Sequence, residues 1–198
     1  MAMEPNETER GDAELIADHV RGDESAFPIL LERYLKQIYN FALRQCGSSE
    51  DAEDIAQETF LKAWKNLGKY RRESAQFRTW LFHIARNTTI DYLRKKKHVA
   101  FSEFDTEEGG NFLTETLADE EPLADELFFR AQNAQMIEDS LTKLPPRSRE
   151  VLLLRYREGL TFDEIGEVLS EPLNTAKSRH RRALQALRNI VEKKEPKA

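Results

Sequence analysis

The chain has 198 residues and a formal net charge of −6, and 33% of its residues are charged. This length allows one or two modest domains, and no apolar run approaches the roughly 20 residues that a membrane-spanning helix needs. The single cysteine, Cys46, excludes an intramolecular disulfide and a multi-cysteine metal site. The opening segment MAMEPNETERGD lacks the basic and apolar parts of a secretory signal, so we expect a cytoplasmic protein without membrane insertion.

Helical periodicity predicts a small all-helical domain over residues 10–98. A short helix is expected before Gly22, and three amphipathic helices follow, each of which must bury one face. Their apolar stripes begin at Phe27, at Ala52 and at Phe77. The second stripe comprises Ala52, Ile55, Ala56, Phe60, Ala63, Trp64 and Leu67.

The junction between the first two stripes carries clear helix-end signals. Gly47 is expected to end one helix, and Ser48 or Ser49 is expected to cap the next. Cys46 continues the first stripe, so we interpret it as a small buried apolar residue without a redox role.

One face of the second helix is acidic and lies off the apolar stripe. It contains Asp54, Gln57, Glu58 and Leu61. Its charge argues against contact with DNA. The face is either a solvated surface with favourable charge near the helix N-terminus or a protein-docking surface, and periodicity does not decide between them.

The segment from Arg71 to His98 combines positive charge with aromatic rings. It contains eight Lys or Arg residues against two acids, Glu73 and Asp91. Cations with interleaved aromatic rings suit unpaired nucleic acid, through charge and base stacking. Most of the aromatic residues in this segment lie on the apolar stripe. Tyr70, immediately before the segment, lies off the stripe and is the better stacking candidate.

The composition changes abruptly after His98. A stretch from Phe101 to Glu126 holds ten acids and no Lys or Arg. It has no sustained apolar stripe, so residues 99–130 are predicted to form a flexible acidic linker.

A second helical domain is predicted over residues 131–198. The two prolines of LPPRSREVLLLRY suit a helix start, and the apolar run Val151–Leu154 indicates a buried central helix. Thr161 and Glu164 form a capping box that starts the next helix. A short break at SEP then separates two helices at the spacing of a helix-turn-helix.

The last predicted helix separates apolar residues from cations. Its polar side carries Lys177, Ser178, Arg179, Arg181 and Arg182. A solvated charged face is the common explanation for such residues. Their position on the second helix of a helix-turn-helix favours contact with DNA, because that element enters the major groove.

Two classes of protein compete as explanations of these features. A stand-alone helix-turn-helix regulator would explain the C-terminal half but not the acidic DAEDIAQETFLKAW helix or the basic segment after it. An enzyme is disfavoured, since the chain has no phosphate-binding loop, nucleophile elbow or local metal motif. No cofactor or metal is therefore expected.

Four motifs in order, DAEDIAQETFLKAW, FRTWLFHIARNTTIDYLR, LPPRSREVLLLRY and TFDEIGEVLSEPLNTAKSRHRRAL, closely resemble bacterial sigma factors of the extracytoplasmic-function (ECF) type. The resemblance implies two helical domains, region 2 (1–98) and region 4 (131–198), without catalytic activity. It implies binding to core RNA polymerase and to promoter DNA, through the β′ clamp helices for region 2 and the β flap for region 4. It also implies an anti-sigma factor as a partner.

The resemblance also implies roles for individual residues. Asp54, Gln57, Glu58 and Leu61 match the polymerase contact. The −10 element corresponds to Tyr70, Arg78, Phe82, Arg86 and Asn87. The −35 element corresponds to Lys177, Ser178, Arg179, Arg181 and Arg182.

Departures from the family pattern lie in the helix-turn-helix. The usual turn glycine is replaced within Ser170–Glu171, and the usual Gly-Thr-Val is replaced by Asn174–Ala176. His180 stands where the family has an aliphatic residue, and we expect a packed histidine with a satisfied hydrogen bond rather than a pH sensor.

Overall fold

The structure is a computed structural model that describes residues 10–71, 75–100 and 134–192. Within these ranges it contains eight α-helices and no β-strand, which confirms the all-α prediction. None of the described helices is long and apolar enough to cross a membrane. The helices are α1 (Asp12–Val20), α2 (Ala26–Cys46), α3 (Ser49–Asn66), α4 (Phe77–Ala100), α5 (Ala134–Thr142), α6 (Pro146–Leu152), α7 (Phe162–Leu169) and α8 (Leu173–Glu192).

The predicted acidic linker lies almost entirely outside the described residues. Its ten acids all fall in the undescribed stretch between α4 and α5. The prediction of a flexible connection therefore stays a prediction.

Helices α1 to α4 form an N-terminal bundle in which α2, α3 and α4 pack against one another. Its centre contains fully buried side chains from each of these three helices, among them Phe41, Ile55 and Leu81. The apolar stripes are confirmed with one exception. Trp64 is 51% exposed. It follows the buried Ala63 in the sequence, so its side chain points about 100° around the helix axis from that of Ala63.

The predicted helix ends are confirmed by their backbone geometry. Gly47 ends α2 with a φ of 74°, a left-handed conformation that glycine adopts without strain. The Ser48 hydroxyl caps α3 by accepting a hydrogen bond from the backbone N–H of Asp51 at 3.3 Å. Pro146 occupies the first turn of α6, where its missing N–H is not needed.

Helices α5 to α8 form a C-terminal unit around α6. The predicted buried run is confirmed, since Val151–Leu154 are all at most 2% exposed. A π-helical turn, Leu153–Arg157, continues α6 towards the predicted capping box. In that box the backbone N–H of Glu164 donates to the Thr161 hydroxyl at 3.3 Å, and the Thr161 N–H donates back to the Glu164 carboxylate at 2.8 Å.

The turn between α7 and α8 brings two backbone segments into close contact. The Glu171 N–H donates to the Gly166 carbonyl at 2.8 Å. A β-carbon at Gly166 would lie 2.8 Å from the Glu171 carbonyl oxygen, so glycine is required there. Ser170 ends α7 in the left-handed conformation, with a φ of 56°, at the position where the sequence departs from a glycine.

The two units pack directly against each other. Helix α4 contacts α7, and α2 contacts α6, so that one continuous apolar core joins them. Helix α7 therefore covers one side of α4.

We expect Ser170→Gly to stabilise the protein by about 1 kcal/mol, because left-handed backbone costs about 1–2 kcal/mol for an ordinary residue and almost nothing for glycine. Urea unfolding followed by circular dichroism measures the change. A control, Ser178→Gly, places glycine in the interior of α8 and is expected to destabilise by about 0.5–1 kcal/mol. Equal destabilisation by both changes would show that Ser170 is not strained.

Candidate nucleic-acid interface

The acidic face of α3 is open to solvent. Asp54, Gln57 and Glu58 are exposed, and Leu61 is 50% exposed although it is a large apolar residue. The face is thus accessible to a partner, and it combines acids with one exposed apolar side chain.

Side chains from α4 hold the acidic end of this face in place. The Tyr92 hydroxyl lies 3.0 Å from a carboxylate oxygen of Asp51 and 3.2 Å from one of Asp54. Lys96 binds both oxygens of Asp51, at 2.8 and 2.6 Å. The hydrogen bond to Asp51, together with partial burial and the carboxylate charges, raises the pKa of Tyr92 to about 12, so its hydroxyl stays protonated and able to donate.

Two of the predicted −10 residues on α4, Arg86 and Asn87, form a hydrogen-bonded network with His83. The Arg86 guanidinium donates to the Asn87 side-chain oxygen at 3.2 Å, and the Asn87 amide lies 2.9 Å from Nε2 of His83. Nδ1 of His83 lies 3.3 and 3.2 Å from the backbone carbonyls of Glu167 and Val168 at the end of α7. With its proton on Nδ1, His83 donates to α7 and accepts from Asn87.

Carboxylates of the C-terminal unit pair with both predicted −10 arginines of α4, Arg86 and Arg78. Nε of Arg86 lies 3.0 Å from a Glu150 oxygen, and Nη2 of Arg78 lies 3.6 Å from a Glu158 oxygen. Arg78 also donates to the Glu158 backbone carbonyl. Burial raises the pKa of both glutamates, although each arginine opposes that shift. In this arrangement the Arg86 side chain is mostly covered, whereas that of Arg78 is 31% exposed.

Two aromatic residues of the predicted −10 set are placed differently. Phe82 is fully buried and packs edge-on against Phe41 at 5.5 Å, so the structure corrects its assignment to an accessible DNA surface. Tyr70 follows a 3₁₀ turn, Leu67–Lys69, and is half-buried against Phe77 and Trp80. Its hydroxyl donates to the Ala75 carbonyl at 2.8 Å, and the ring remains partly open.

Helix α8 separates its apolar residues from its exposed cations, as the sequence predicts. Its buried side consists of Ala176, His180, Ala183, Leu184 and Leu187. Lys177 and Arg182 are exposed on the other side. Ser178 donates to the Asn174 carbonyl at 2.7 Å, and Nε of Arg182 donates to the Ser178 carbonyl at 3.3 Å.

Arg179 differs from the other cations of α8. Its Nε donates to a carboxylate oxygen of Glu171 at 3.0 Å, and both side chains are less than one-fifth exposed. Arg179 is paired with an acid because the turn that precedes α8 places Glu171 beside it.

His180 and Cys46 both pack against the core. His180 is 9% exposed, and its Nε2 lies 3.1 Å from the Tyr156 hydroxyl, which confirms a packed and satisfied histidine. Burial lowers its pKa to about 4, so it is neutral over the physiological range. Cys46 is half-buried, and its Sγ lies 3.3 Å from the Ser48 carbonyl.

Sequence reasoning missed the residues that join the two units. No sequence pattern assigned Glu150, Glu158 or His83 to a contact, because their partners lie 64, 80 and 84 residues away in the chain. The described residues contain no group of three or more His, Cys, Asp or Glu side chains arranged to hold a metal ion.

Two protein families match the two halves of the chain. Sigma-70 region 2 matches residues 30–99, and Sigma-70 region 4 matches residues 140–189. Together with the helix-turn-helix, these matches define a transcription initiation factor that directs RNA polymerase to promoters, and not an enzyme.

Relatives with full-length similarity identify the type. The chain is 36% identical to the ECF RNA polymerase sigma factor SigW of Bacillus subtilis, over 85% of this chain and 90% of that protein. It is 32% identical to the ECF RNA polymerase sigma-E factor of Escherichia coli K12, over 87% and 90% respectively. The chain belongs to the ECF sigma factors of the sigma-70 family.

Solved structures show the same fold. CnrH in complex with the cytosolic domain of CnrY is 25% identical, with a TM-score of 0.64, and the match covers 93% of this chain and 99% of CnrH. The sigma factor RpoE in complex with the anti-sigma factor NepR from Bartonella quintana is 23% identical, with a TM-score of 0.62 over 85% and 98%.

We expect His180 to make the protein less stable as the pH falls. Its pKa is about 4 in the folded state and about 6.5 in the unfolded state, so the unfolded chain binds the proton first. The free energy of unfolding should therefore fall by about 1–2 kcal/mol more in the wild type than in His180→Leu between pH 7 and pH 5. Urea unfolding at both pH values measures this difference. Parallel pH profiles would contradict it, since the carboxylates titrate alike in both proteins.

Proposed function

We propose that this sigma factor divides its work between residues 1–98 as region 2 and residues 131–198 as region 4, with residues 99–130 as the acidic linker. The observation that carries the proposal is the segregation of charge: the exposed face of α3 is acidic, whereas α4 and α8 carry the cations. Because its polymerase and promoters are in the cytoplasm, the protein acts there.

The α3 face is proposed to bind the β′ clamp helices of core polymerase. Asp54, Gln57, Glu58 and Leu61 share that open face, and Tyr92 supports it from α4. An exposed apolar side chain ringed by charges is typical of a docking surface, where charge directs association and the apolar centre is buried. Region 4 is proposed to contact the β flap, as the family implies.

Promoter DNA is proposed to bind two separate surfaces. Tyr70, Arg78, Arg86 and Asn87 take the −10 element, with Tyr70 as the base-stacking residue. Lys177, Ser178, Arg181 and Arg182 take the −35 element from the exposed side of α8. The ion pair with Glu171 supports a different role for Arg179, which is to orient the turn before α8.

Binding of the −10 element requires the two units to separate. Arg78 and Arg86 are paired with Glu158 and Glu150, and α7 lies across His83. A protein partner that binds both units would hold them together, and CnrH was solved in complex with the cytosolic domain of CnrY. We therefore propose that an anti-sigma factor binds this chain.

The overall function is tested by run-off transcription from a genomic promoter library with core polymerase. Transcripts that start at a shared class of promoters only when the chain is added would support it. Protein that binds promoters but neither co-elutes with core polymerase nor starts transcripts would favour a stand-alone regulator.

We expect Glu58→Lys to weaken binding to core polymerase, because reversing a charge on a docking face slows association and changes its salt dependence. Surface plasmon resonance with immobilised core polymerase measures both. Glu14→Lys makes the same charge reversal at an exposed position on α1 and serves as the matched control. Unaltered affinity in a folded Glu58→Lys protein would remove α3 from the interface.

We expect Arg181→Ala and Arg182→Ala to change which −35 sequences are selected, since a good bidentate contact to a base discriminates by about 1–3 kcal/mol. Selection from randomised −35 duplexes with holoenzyme reveals the motif. Lys177→Ala should lower affinity for all sequences alike and reduce the salt dependence, as loss of a phosphate contact does. If all three variants select the wild-type motif, neither arginine contacts a base.

A further inference from the structure

The buried side of α8 contains one polar residue, His180, among four apolar ones. The apolar residues are Ala176, Ala183, Leu184 and Leu187. His180 directly precedes Arg181 and follows Lys177 by three residues, about one helical turn. The rotation of α8 about its own axis therefore moves His180 and the proposed −35 residues together.

The His180 ring lies where α8 meets both elements that support it. Its Nε2 lies 3.1 Å from the hydroxyl of Tyr156, which belongs to the π-helical turn after α6. Phe162, the first residue of α7, packs edge-on against the same ring, with 5.0 Å between the ring centroids. His180 thus joins α8 to the end of the π-helical turn and to the start of α7.

The two partners of His180 are themselves held in place. The Arg155 guanidinium lies 4.8 Å from the centroid of the Phe162 ring, and its Nη1 donates to the Leu160 carbonyl at 3.1 Å. The Leu160 N–H donates in turn to the Leu154 carbonyl at 3.0 Å. These contacts tie the π-helical turn to the start of α7, so His180 packs against a fixed frame.

The hydrogen bond between His180 and Tyr156 limits how α8 can rotate on this frame. Apolar contacts are non-directional, so the alanines and leucines alone permit a small roll of the helix. A hydrogen bond requires a narrow range of distance and angle, and a satisfied buried one makes a core rigid and unique. Burial lowers the pKa of His180 to about 4, so the neutral ring keeps this bond at physiological pH.

We propose that His180 is a positioning residue for −35 recognition, whose hydrogen bond with Tyr156 fixes the roll of α8 and thereby sets which bases its arginines contact. The proposal rests on the proposed function of α8. Because side chains extend about 5–6 Å from a helix axis, a roll of about 10–15° moves their ends by roughly 1–1.5 Å. Such a shift breaks a bidentate contact to a base, whose hydrogen bonds span only about 2.7–3.2 Å. Attraction to a phosphate falls more gradually with distance, so it survives the shift.

The experiment measures competition for holoenzyme between promoter duplexes that differ in one base pair of the −35 element. The reference duplex carries the motif that wild-type holoenzyme selects. Tyr156→Phe removes the hydroxyl and keeps the ring, so we expect discrimination against the mismatched duplexes to fall by at least about fivefold, the lower end of what one bidentate contact supplies. Affinity for DNA without a promoter should match the wild type.

A second variant tests whether the two residues act through one bond. His180→Leu is expected to lower discrimination as Tyr156→Phe does. The double variant should lose no more than either single variant, because all three lack the same hydrogen bond. Losses that multiply in the double variant would show that the residues act separately and would overturn the proposal.

Leu187→Val is the matched control for packing. It shortens a buried side chain on the same side of α8, about two turns from His180, and leaves the hydrogen bond intact. We expect a lower free energy of unfolding with wild-type discrimination. An equal loss of discrimination in Leu187→Val and Tyr156→Phe would assign the effect to packing and contradict the proposal. Circular dichroism and core-polymerase affinity confirm that each variant is folded.

Arg181→Ala and Arg182→Ala separate failure of this proposal from failure of the proposed −35 surface. If they lower discrimination while Tyr156→Phe and His180→Leu match the wild type, α8 reads bases but His180 does not position it. If the arginine variants also match the wild type, base reading by α8 fails and the proposal fails with it.

Discussion

Helix α4 is buried on two sides, and the rest of the molecule is arranged around that constraint. It packs against α2 and α3 within its own bundle, and against α7 of the C-terminal unit. Polar residues on the second contact are matched individually: Thr79 lies 3.4 Å from Glu164, and Arg86 lies 3.0 Å from Glu150. A buried ion pair of this kind gains little net stability, because desolvation of both charges offsets their attraction. These ion pairs therefore contribute specificity more than stability, whereas the apolar core that joins the two units supplies attraction.

Segregated charge explains how an acidic protein can bind DNA. The net charge of −6 is an average over opposite surfaces. Acids dominate the linker and the open face of α3, whereas cations concentrate on α4 and α8, with a smaller group along α2. Since charges separated by more than about 8–10 Å of salt solution are largely screened, each surface acts on its own ligand. The protein can therefore attract a nucleic acid at one place and a protein surface at another.

Local features were predictable because each depends on a few neighbouring residues. Gly47, Ser48 and the Thr161–Glu164 capping box all behave as their sequence context indicates. Periodicity identified the buried side of each helix, but it misplaced Trp64 at the edge of its stripe. The burial of a residue at such an edge depends on which neighbouring element covers it, and about half of the Trp64 side chain stays exposed.

Contacts between distant segments could not be predicted in the same way. The pairing of Arg86 with Glu150, and of Arg179 with Glu171, depends on tertiary geometry that no local pattern encodes. Tyr70 shows the intermediate case. It lies off the apolar stripe, as expected, yet its ring packs on Phe77 and Trp80 at the start of α4.

The two proposed DNA-binding surfaces are connected through α7. One side of α7 covers α4, where its terminal carbonyls meet His83. The other side carries α8, and the close approach of Glu171 to Gly166 fixes the angle between these two helices. Because α7 and α8 are joined so tightly, α7 cannot leave α4 by itself. If α7 separates from α4, α8 therefore moves with it, although Lys177 and Arg182 on α8 are already exposed in this structure.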